Sequence, residues 1–348
     1  MFGDNLDRIV KSIEKNYEAD EIFFTKPGRR FPSRLAVKSV IKDLRRVLFP
    51  GYFGDEMLTP FTSPEYFIGE TLIQIERVLR EQIVLAMTYT SDDRDAAEVD
   101  PARYLCGGTT PEHICERASE VCTVFFDELP SIQRVLLTDV QALYDGDPAA
   151  GSKEEVIFSY PGLYAIYVYR IAHVLYEQNV PIIPRIMTEL AHSGTGIDIG
   201  AGAQIGEFFF IDHGTGVVIG ETTQIGDNCT LYQGVTLGGT GKDHGKRHPT
   251  LGNNVMVSAG AKVLGPFKVG DNSRIAANAV VLSEIPPEAT AVGVPARVVR
   301  IAGEKVDFAG QVDQIHVTDP VQKELQALNS RLEWLEQLMD EQARSKNL

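Results

Sequence analysis

The chain has 348 residues, 43% hydrophobic and 23% charged, which is ordinary for a protein that folds in water and long enough for two domains with a substantial core. Its formal net charge of −15 argues against a general nucleic-acid binder, whose footprint is a basic face, and leaves room only for a local basic pocket. No apolar run approaches the roughly 20 residues that cross a bilayer, and the opening stretch MFGDNLDRIVKSIEKN lacks the apolar core of a signal peptide. A soluble cytoplasmic protein with neither membrane nor nucleic-acid partner is expected.

In chain order, residues 1–30 form a polar extension with one helical stretch and a break at Lys26-Pro27-Gly28. From Pro32-Ser33, the residues Leu35, Val37, Val40, Ile41, Leu44, Val47 and Leu48 fit one face of a helix that Pro50-Gly51 ends. Residues 64–88 predict a second long helix, with Phe67, Ile68, Leu72, Ile75, Val78, Leu79 and Ile83 on its apolar side. An acidic, then glycine-containing loop is expected over 91–110. Separate helices are expected over 111–126, opened by Pro111 at the first helical position, and over 129–144. Pro161-Gly162 introduces an aromatic-rich helix stopped by Pro181, and a short helix around 183–190 follows. Residues 31–192 thus predict an all-helical domain. Cys106, Cys115, Cys122 and Cys229 match no zinc spacing, and no disulfide framework is expected at this density.

From residue 197 the pattern changes. Ile199, Ile205 and Ile211 recur at a step of six, and the series resumes after a two-residue slip with Ile219, Ile225, Leu231 and Leu237. Leu251, Val257, Val263, Val269, Ile275 and Val281 complete it. Helices repeat at 3.6 residues and flat strands at two, so a step of six points to a hexapeptide solenoid, each unit a short strand and a turn around a shared core. Gly200, Gly206, Gly220, Gly226, Gly238, Gly252 and Gly270 follow the aliphatic positions, where turns need positive φ or close backbone approach. The one interruption, GGTGKDHGKRHPT between Leu237 and Leu251, is glycine-rich and basic, as a functional loop on a rigid scaffold would be. The predicted class is α+β: the helical domain, a parallel β-helix over 193–300, and a tail over 301–348. In that tail Leu325, Leu328, Leu332, Leu335 and Met339 form a heptad seam of two repeats, suited to a short helix that adds a weak trimer contact or packs within the chain.

Several candidate residues stand out chemically. His213 breaks the aliphatic rhythm in an Asp212-His213-Gly214 turn, and a histidine near pKa 6.5 suits a general base. If residues about 18 apart stack, Asp198 can lie close to it. Arg247 offers a planar fork for a carboxylate, with His248 beside it. Gly238, Gly239 and Gly241 allow backbone amides to approach a carbonyl. GGTGK does not match a P-loop.

The segments DIGAGAQIGEFFFIDHGTGVVIGE, YQGVTLGGTGKDHGKRHPTLGNNVMVSAGAKVLG and GVPARVV, with DVQALYDGDPA and the Tyr169–His173 run in the helical domain, resemble the serine O-acetyltransferases. These belong to the hexapeptide-repeat acyltransferase superfamily, and FPGYFG at 49–54 is similar to a longer-headed branch. The resemblance covers roughly residues 32–300. It implies a left-handed β-helix and acetyl transfer from acetyl-CoA to the L-serine hydroxyl, in cysteine biosynthesis. It implies His213 as base with Asp198 as its orienting partner, and Asp147, Asp212, Arg247 and His248 as serine ligands. Gly239, Ala259, Gly260 and Ala277 would hold acetyl-CoA, with Arg274 near a phosphate and no metal expected. It further implies feedback inhibition by L-cysteine and a homotrimer or dimer of trimers. Family members bind cysteine synthase through a tail ending in isoleucine. This chain ends Ser345-Lys346-Asn347-Leu348, so a weak or absent complex is expected. Alternatives are another acceptor such as a sugar, a non-catalytic assembly module, and a zinc carbonic anhydrase of the β-helix type using His213, His244 and His248.

Overall fold

The computed structural model describes residues 2–19, 31–54, 63–92, 111–241 and 245–305, with 328, 330–332 and 335. The expected break at 26–28, most of the loop at 91–110, Cys106, His244, Leu325, Met339 and the last four residues lie outside the described residues. The chain divides into two units, Met1–Lys305 and Val306–Leu348. In the second, Leu328, Ser330, Arg331, Leu332 and Leu335 are helical and exposed. Among the described residues no helix is long and apolar enough to cross a membrane.

The first unit opens with α1 (Phe2–Ala19), exposed at every described side chain from Asn5 to Tyr17. In α2 (Arg34–Leu48) the Ser33 hydroxyl accepts the Ala36 N–H at 3.3 Å and caps the first turn. The spacing of Val37, Val40, Ile41, Leu44, Val47 and Leu48 holds, and all are buried. Leu35, expected on that face, is 79% exposed. At about 100° per residue it lies nearly opposite Val37. The second long helix, α3 (Pro64–Asp92), runs past the expected end at 88 and buries Ile75, Leu79 and Ile83.

The two helices expected over 111–126 and 129–144 are one, α4 (Pro111–Gly146), with Pro130 inside it. An interior proline removes a backbone hydrogen bond and disfavours a helix by about 3 kcal/mol. Val121, Cys122, Phe125 and Leu129 before it and Ile132, Leu136, Val140 and Leu143 after it stay on one buried face, and that packing outweighs the penalty. A short helix not anticipated from periodicity, α5 (Lys153–Ser159), is announced by a capping signature. The Ser152 hydroxyl accepts the Glu155 N–H at 3.1 Å, and the Glu155 carboxylate accepts the Gly151 N–H at 2.8 Å. Two further helices, α6 (Pro161–Glu177) and α7 (Ile183–Thr195), lead into the solenoid.

The solenoid is a stack of parallel coils, each three short strands. The first holds β1 (Asp198–Ile199), β2 (Gln204–Ile205) and β3 (Phe210–Asp212). The second holds β4 (Val218–Ile219), β5 (Gln224–Ile225) and β6 (Thr230–Tyr232). The third holds β7 (Thr236–Gly238), β8 (Thr250–Leu251) and β9 (Met256–Val257), and the fourth β10 (Lys262–Leu264), β11 (Lys268–Val269) and β12 (Arg274–Ile275). After β13 (Val280–Val281) and β14 (Ala289–Val292), the antiparallel β15 (Arg297–Ile301) and β16 (Glu304–Lys305) close the stack. Strands β1, β4, β7, β10 and β13 make one face, β2, β5, β8 and β11 a second, and β3, β6, β9, β12 and β14 a third.

Each of the thirteen aliphatic residues of the six-step falls in its own strand. All are buried except Ile205, which is half-buried beneath the helices. Each fully buried one contributes about 1.5–3 kcal/mol by leaving water. The uniform stacking distance of 18 is corrected. The first two coils pair at 20 residues (Gln204 over Gln224), because of the slip after Ile211. On the second and third faces the next step is 26 across the inserted loop (Gln224 over Thr250) and then 18 (Asn253 over Asp271), whereas on the first face a step of 18 (Val218 over Thr236) comes before the loop. None of the seven post-aliphatic glycines has positive φ, and they serve close approach. Positive φ at the turns falls to other residues, among them Asn228, Asn254, Asn272, Asn278, His213, Gly234 and Gly260.

The helices grip the first coil through its backbone. In the interior Arg170 pairs with Asp139 through two hydrogen bonds of 2.7 and 2.9 Å. The same guanidinium donates to the carbonyls of Ile205 (3.2 Å) and Gly206 (2.8 Å). Burial pushes the Asp139 carboxyl up, while Arg170 and the Phe209 N–H, 2.9 Å away, pull it back. Tyr169 donates its hydroxyl hydrogen to Ala203 O at 2.5 Å, and His173 Nδ1 lies 2.8 Å from Ala201 O. These contacts seat the C-terminal end of α4 beside β3 and the second half of α6 on the turns around β2, while Gly162 at the start of α6 lets that helix lie against Ile211 O of β3, just before the Asp212-His213 turn.

Candidate active site

His213 follows β3 at the corner between the third and first faces. Its φ of 57° is unusual for a side chain with a Cβ, and the ring is 73% exposed. Its Nε2 lies 3.8 Å from Asp212 Oδ1, a carboxylate only 16% exposed. Among the described residues no hydrogen bond or ion pair joins His213 to Asp198. Asp198 opens β1 and stacks beneath Val218, because the slip after Ile211 shifts the register. From the helical side comes Asp147, just past the end of α4. Its Oδ1 accepts the Ala149 N–H at 2.8 Å and its Oδ2 accepts the Tyr160 hydroxyl at 2.6 Å. The Tyr160 bond first, then the Ala149 bond and the nearby His213, hold the Asp147 carboxyl below its usual range. Burial, Asp147 and the more distant Glu155 and Asp212 push the Tyr160 phenol up to about 12, so it stays protonated as a donor. Asp147, Tyr160, Asp212 and His213 therefore form one electrostatic cluster. Tyr160 escaped the sequence reading, although an aromatic directly before Pro161 at the foot of α6 was the available signal.

The same corner runs down the stack as a column of small residues. Gly234 N–H donates to Thr215 O, Gly260 N–H to Gln233 O and Asn278 N–H to Ala259 O, at 2.8–2.9 Å. Ala259, Gly260 and Ala277 thus lie below His213 on one edge. A side chain at Gly260, whose φ is +72°, would overlap the Asn278 amide. Along this column the Gln233 Oε1 is buried and has no hydrogen-bond partner among the described residues. A bare backbone edge with an unmet acceptor fits a thin, amide-bearing chain laid along the coils.

Arg247, His248 and Gly239 lie elsewhere, at the corner between the first and second faces where the loop leaves β7 and rejoins β8. His248 is 7% exposed and packs against Gly220, where a side chain would overlap its ring. Its Nδ1 lies 2.8 Å from Thr222 Oγ1 and accepts the Thr222 N–H at 3.1 Å. Burial first, then the adjacent positive charges of Arg247 and Lys246, lower the His248 pKa, with Glu221 opposing. A Cβ at Gly239 would come within 3.2 Å of Arg247 O, so the two ends of the loop touch. Thr222 was also missed, since nothing in the six-step distinguishes it from the other turn residues. Among the described residues no group of three His, Cys, Asp or Glu could hold a metal ion.

The two residue sets thus occupy different corners of one prism. Residues 248–283 match the family profile described as bacterial transferase hexapeptide (six repeats). The chain is 47% identical over 207 residues to the serine acetyltransferase of Synechococcus elongatus, covering 60% of this chain and 84% of that one. It is 48% identical over 195 residues to that of Staphylococcus aureus, covering 56% and 91%. The chain belongs to the serine acetyltransferase family. Two solved structures agree. Serine acetyltransferase isoform 3 of Entamoeba histolytica, in complex with cysteine, superposes with a TM-score of 0.61 at 29% identity, covering 94% of this chain and 99% of that one. Serine acetyltransferase 1 of the same organism, in complex with L-cysteine, gives 0.60 at 34%, covering 82% and 98%. This membership decides for acyl transfer over zinc-dependent hydration or a purely structural solenoid.

Proposed function

We propose that the protein transfers the acetyl group of acetyl-CoA to the hydroxyl of L-serine, giving O-acetyl-L-serine and CoA. The observation that carries this reading is the solvent-facing His213 beside Asp212 and Asp147, at the head of the small-residue column. His213 takes the serine hydroxyl proton as the oxygen attacks the thioester carbonyl. The oxyanion is met by backbone N–H groups of the Gly238–Gly239 stretch. Collapse expels the CoA sulfur, which receives the proton from the imidazolium. Asp198 orients His213 once substrate is bound, and Asp147 and Asp212 take the serine ammonium. Arg247 and His248 take its carboxylate. Ala259, Gly260 and Ala277 leave the groove for the pantetheine arm.

One chain separates the His213 and Arg247 corners, so the complete site forms where one copy's His213 corner meets a second copy's Arg247 corner. A trimer of β-helices provides three such sites, and the helical heads join two trimers. L-cysteine, bound in the Entamoeba histolytica neighbours, is proposed as an inhibitor in the serine pocket, with competition against serine.

The decisive assay follows CoA release with L-serine, with a sugar acceptor and with neither. Release with serine alone is expected, and release with the sugar alone overturns the assignment. Mixing the inactive His213→Ala and Arg247→Ala variants under exchange of subunits should restore part of the activity. A fully active monomer by light scattering overturns the shared site.

A further inference from the structure

Thr222 sits at the turn between β4 and β5, one coil before the loop end that carries Lys246, Arg247 and His248. All of its polar atoms are committed to those three residues. Its carbonyl oxygen accepts the Lys246 ammonium at 2.7 Å. Its hydroxyl oxygen accepts the Arg247 N–H at 3.1 Å and the His248 N–H at 3.3 Å. A hydroxyl has two lone pairs and one hydrogen. With both lone pairs engaged, the hydrogen is left to donate, and the acceptor 2.8 Å away is His248 Nδ1. The Thr222 N–H donates to the same atom at 3.1 Å. An imidazole nitrogen faced by two donor hydrogens cannot carry its own, so the ring proton resides on Nε2. Gly220, two residues earlier, leaves room for the Nε2 edge of the ring to lie against the chain. Among the described residues Nε2 has no hydrogen-bond partner of its own.

We propose that Thr222 is a positioning residue: it holds His248 as the Nε2–H tautomer and fixes the Arg247–His248 pair as a ready-made donor set for the substrate carboxylate. The inference rests on the assignment of that pair to carboxylate binding. Without the hydroxyl, the two backbone N–H groups that anchor the loop end lose their acceptor, and Arg247 and His248 must be ordered by the substrate itself. The signature is therefore weaker serine binding with the chemical step nearly intact.

The test compares full-length wild type with Thr222→Val, Thr222→Ser and His248→Asn. Thr222→Val should raise the serine KM by about tenfold or more, the scale for a lost anchoring hydrogen bond. kcat and the acetyl-CoA KM should move by less than about threefold, and Thr222→Ser should recover most of the loss. A wild-type serine KM in Thr222→Val overturns the proposal, and so does an equal rise in both KM values, which marks a general structural defect. If His248→Asn leaves serine KM unchanged, the carboxylate assignment fails instead. Nitrogen-15 spectra of histidine-labelled wild type, with the His248 signal identified by its loss in His248→Asn, give a readout independent of any Thr222 variant's folding. A proton on Nε2 at neutral pH is expected, and a proton on Nδ1 overturns the inference.

Discussion

At the His213 corner the imidazole stands in solvent on a left-handed backbone position, with a carboxylate 3.8 Å away and, among the described residues, no hydrogen bond fixing its proton. At the Arg247 corner the imidazole of His248 is buried, and its ring nitrogen is held by a hydroxyl and an amide. Both are histidines on turns of one solenoid, yet the first is open to solvent, as the proposed base requires, and the second is buried and held, as the proposed donor requires. A base must exchange its proton during turnover and gains from solvent access. A recognition donor gains from a fixed tautomer and a pre-set pose.

The comparison breaks first at His213. His213→Ala should lower kcat by a factor of roughly 10² or more, the usual scale for a general base, with little change in the serine KM. Asp198→Asn should lower it less. Equal turnover in wild type and His213→Ala would move the base elsewhere. The opposite signature belongs to the other corner. Arg247→Lys replaces a planar fork by a point charge, and a lost charge-assisted bond is worth about 1.5–3 kcal/mol. Steady-state kinetics should show the serine KM raised by roughly ten- to a hundredfold, against a smaller fall in kcat. A fall in kcat alone would place Arg247 with the chemistry.

A smaller effect separates the histidines by pH. The folded state lowers the His248 pKa, so the folded ring stays neutral where the unfolded one, near 6.5, takes up a proton. The unfolded chain then binds more protons, and this contribution to stability falls as pH drops through about 6.5, by at most about 1.4 kcal/mol per pH unit. Urea unfolding at about pH 7.5 and about pH 5.5 should show wild type losing more stability than His248→Asn. Equal losses would mean that the buried ring does not resist protonation. The smallest effect is expected at Tyr160→Phe. Removing the hydroxyl that holds Asp147 low raises that carboxyl's pKa, so the acid limb of kcat/KM for serine should move to higher pH. An unmoved limb would leave Tyr160 a packing residue.

The order of elements and the composition of the core are local properties, and they were legible residue by residue. A six-step of aliphatic side chains has one structural solution, and each of the thirteen residues takes its place in a strand. Helix faces such as Val37 to Leu48 follow in the same way from a period of 3.6. The failures came where a distant contact outweighed a local preference. Pro130 signals a break, but the apolar face that continues across it holds α4 together. The seven post-aliphatic glycines were legible as turn residues, while the choice between positive φ and close approach depended on the coil above.

For the site, the sequence by itself determined the kinds of residue present, and the family motifs supplied the roles proposed for them: His213, Asp147, Asp212, Arg247, His248 and the small residues of the column. Only the tertiary structure decided which of them meet. Asp147 lies within the electrostatic reach of His213, with the helices seated on the first coil by Arg170 and Tyr169. His248 is pinned by Thr222 because the inserted loop lengthens one coil to 26 residues and returns it over the preceding turn. Neither contact has a period or spacing that a linear pattern could carry. Each depends on how many residues a coil consumes before it stacks on the one below, and that number varies among 18, 20 and 26 along this chain.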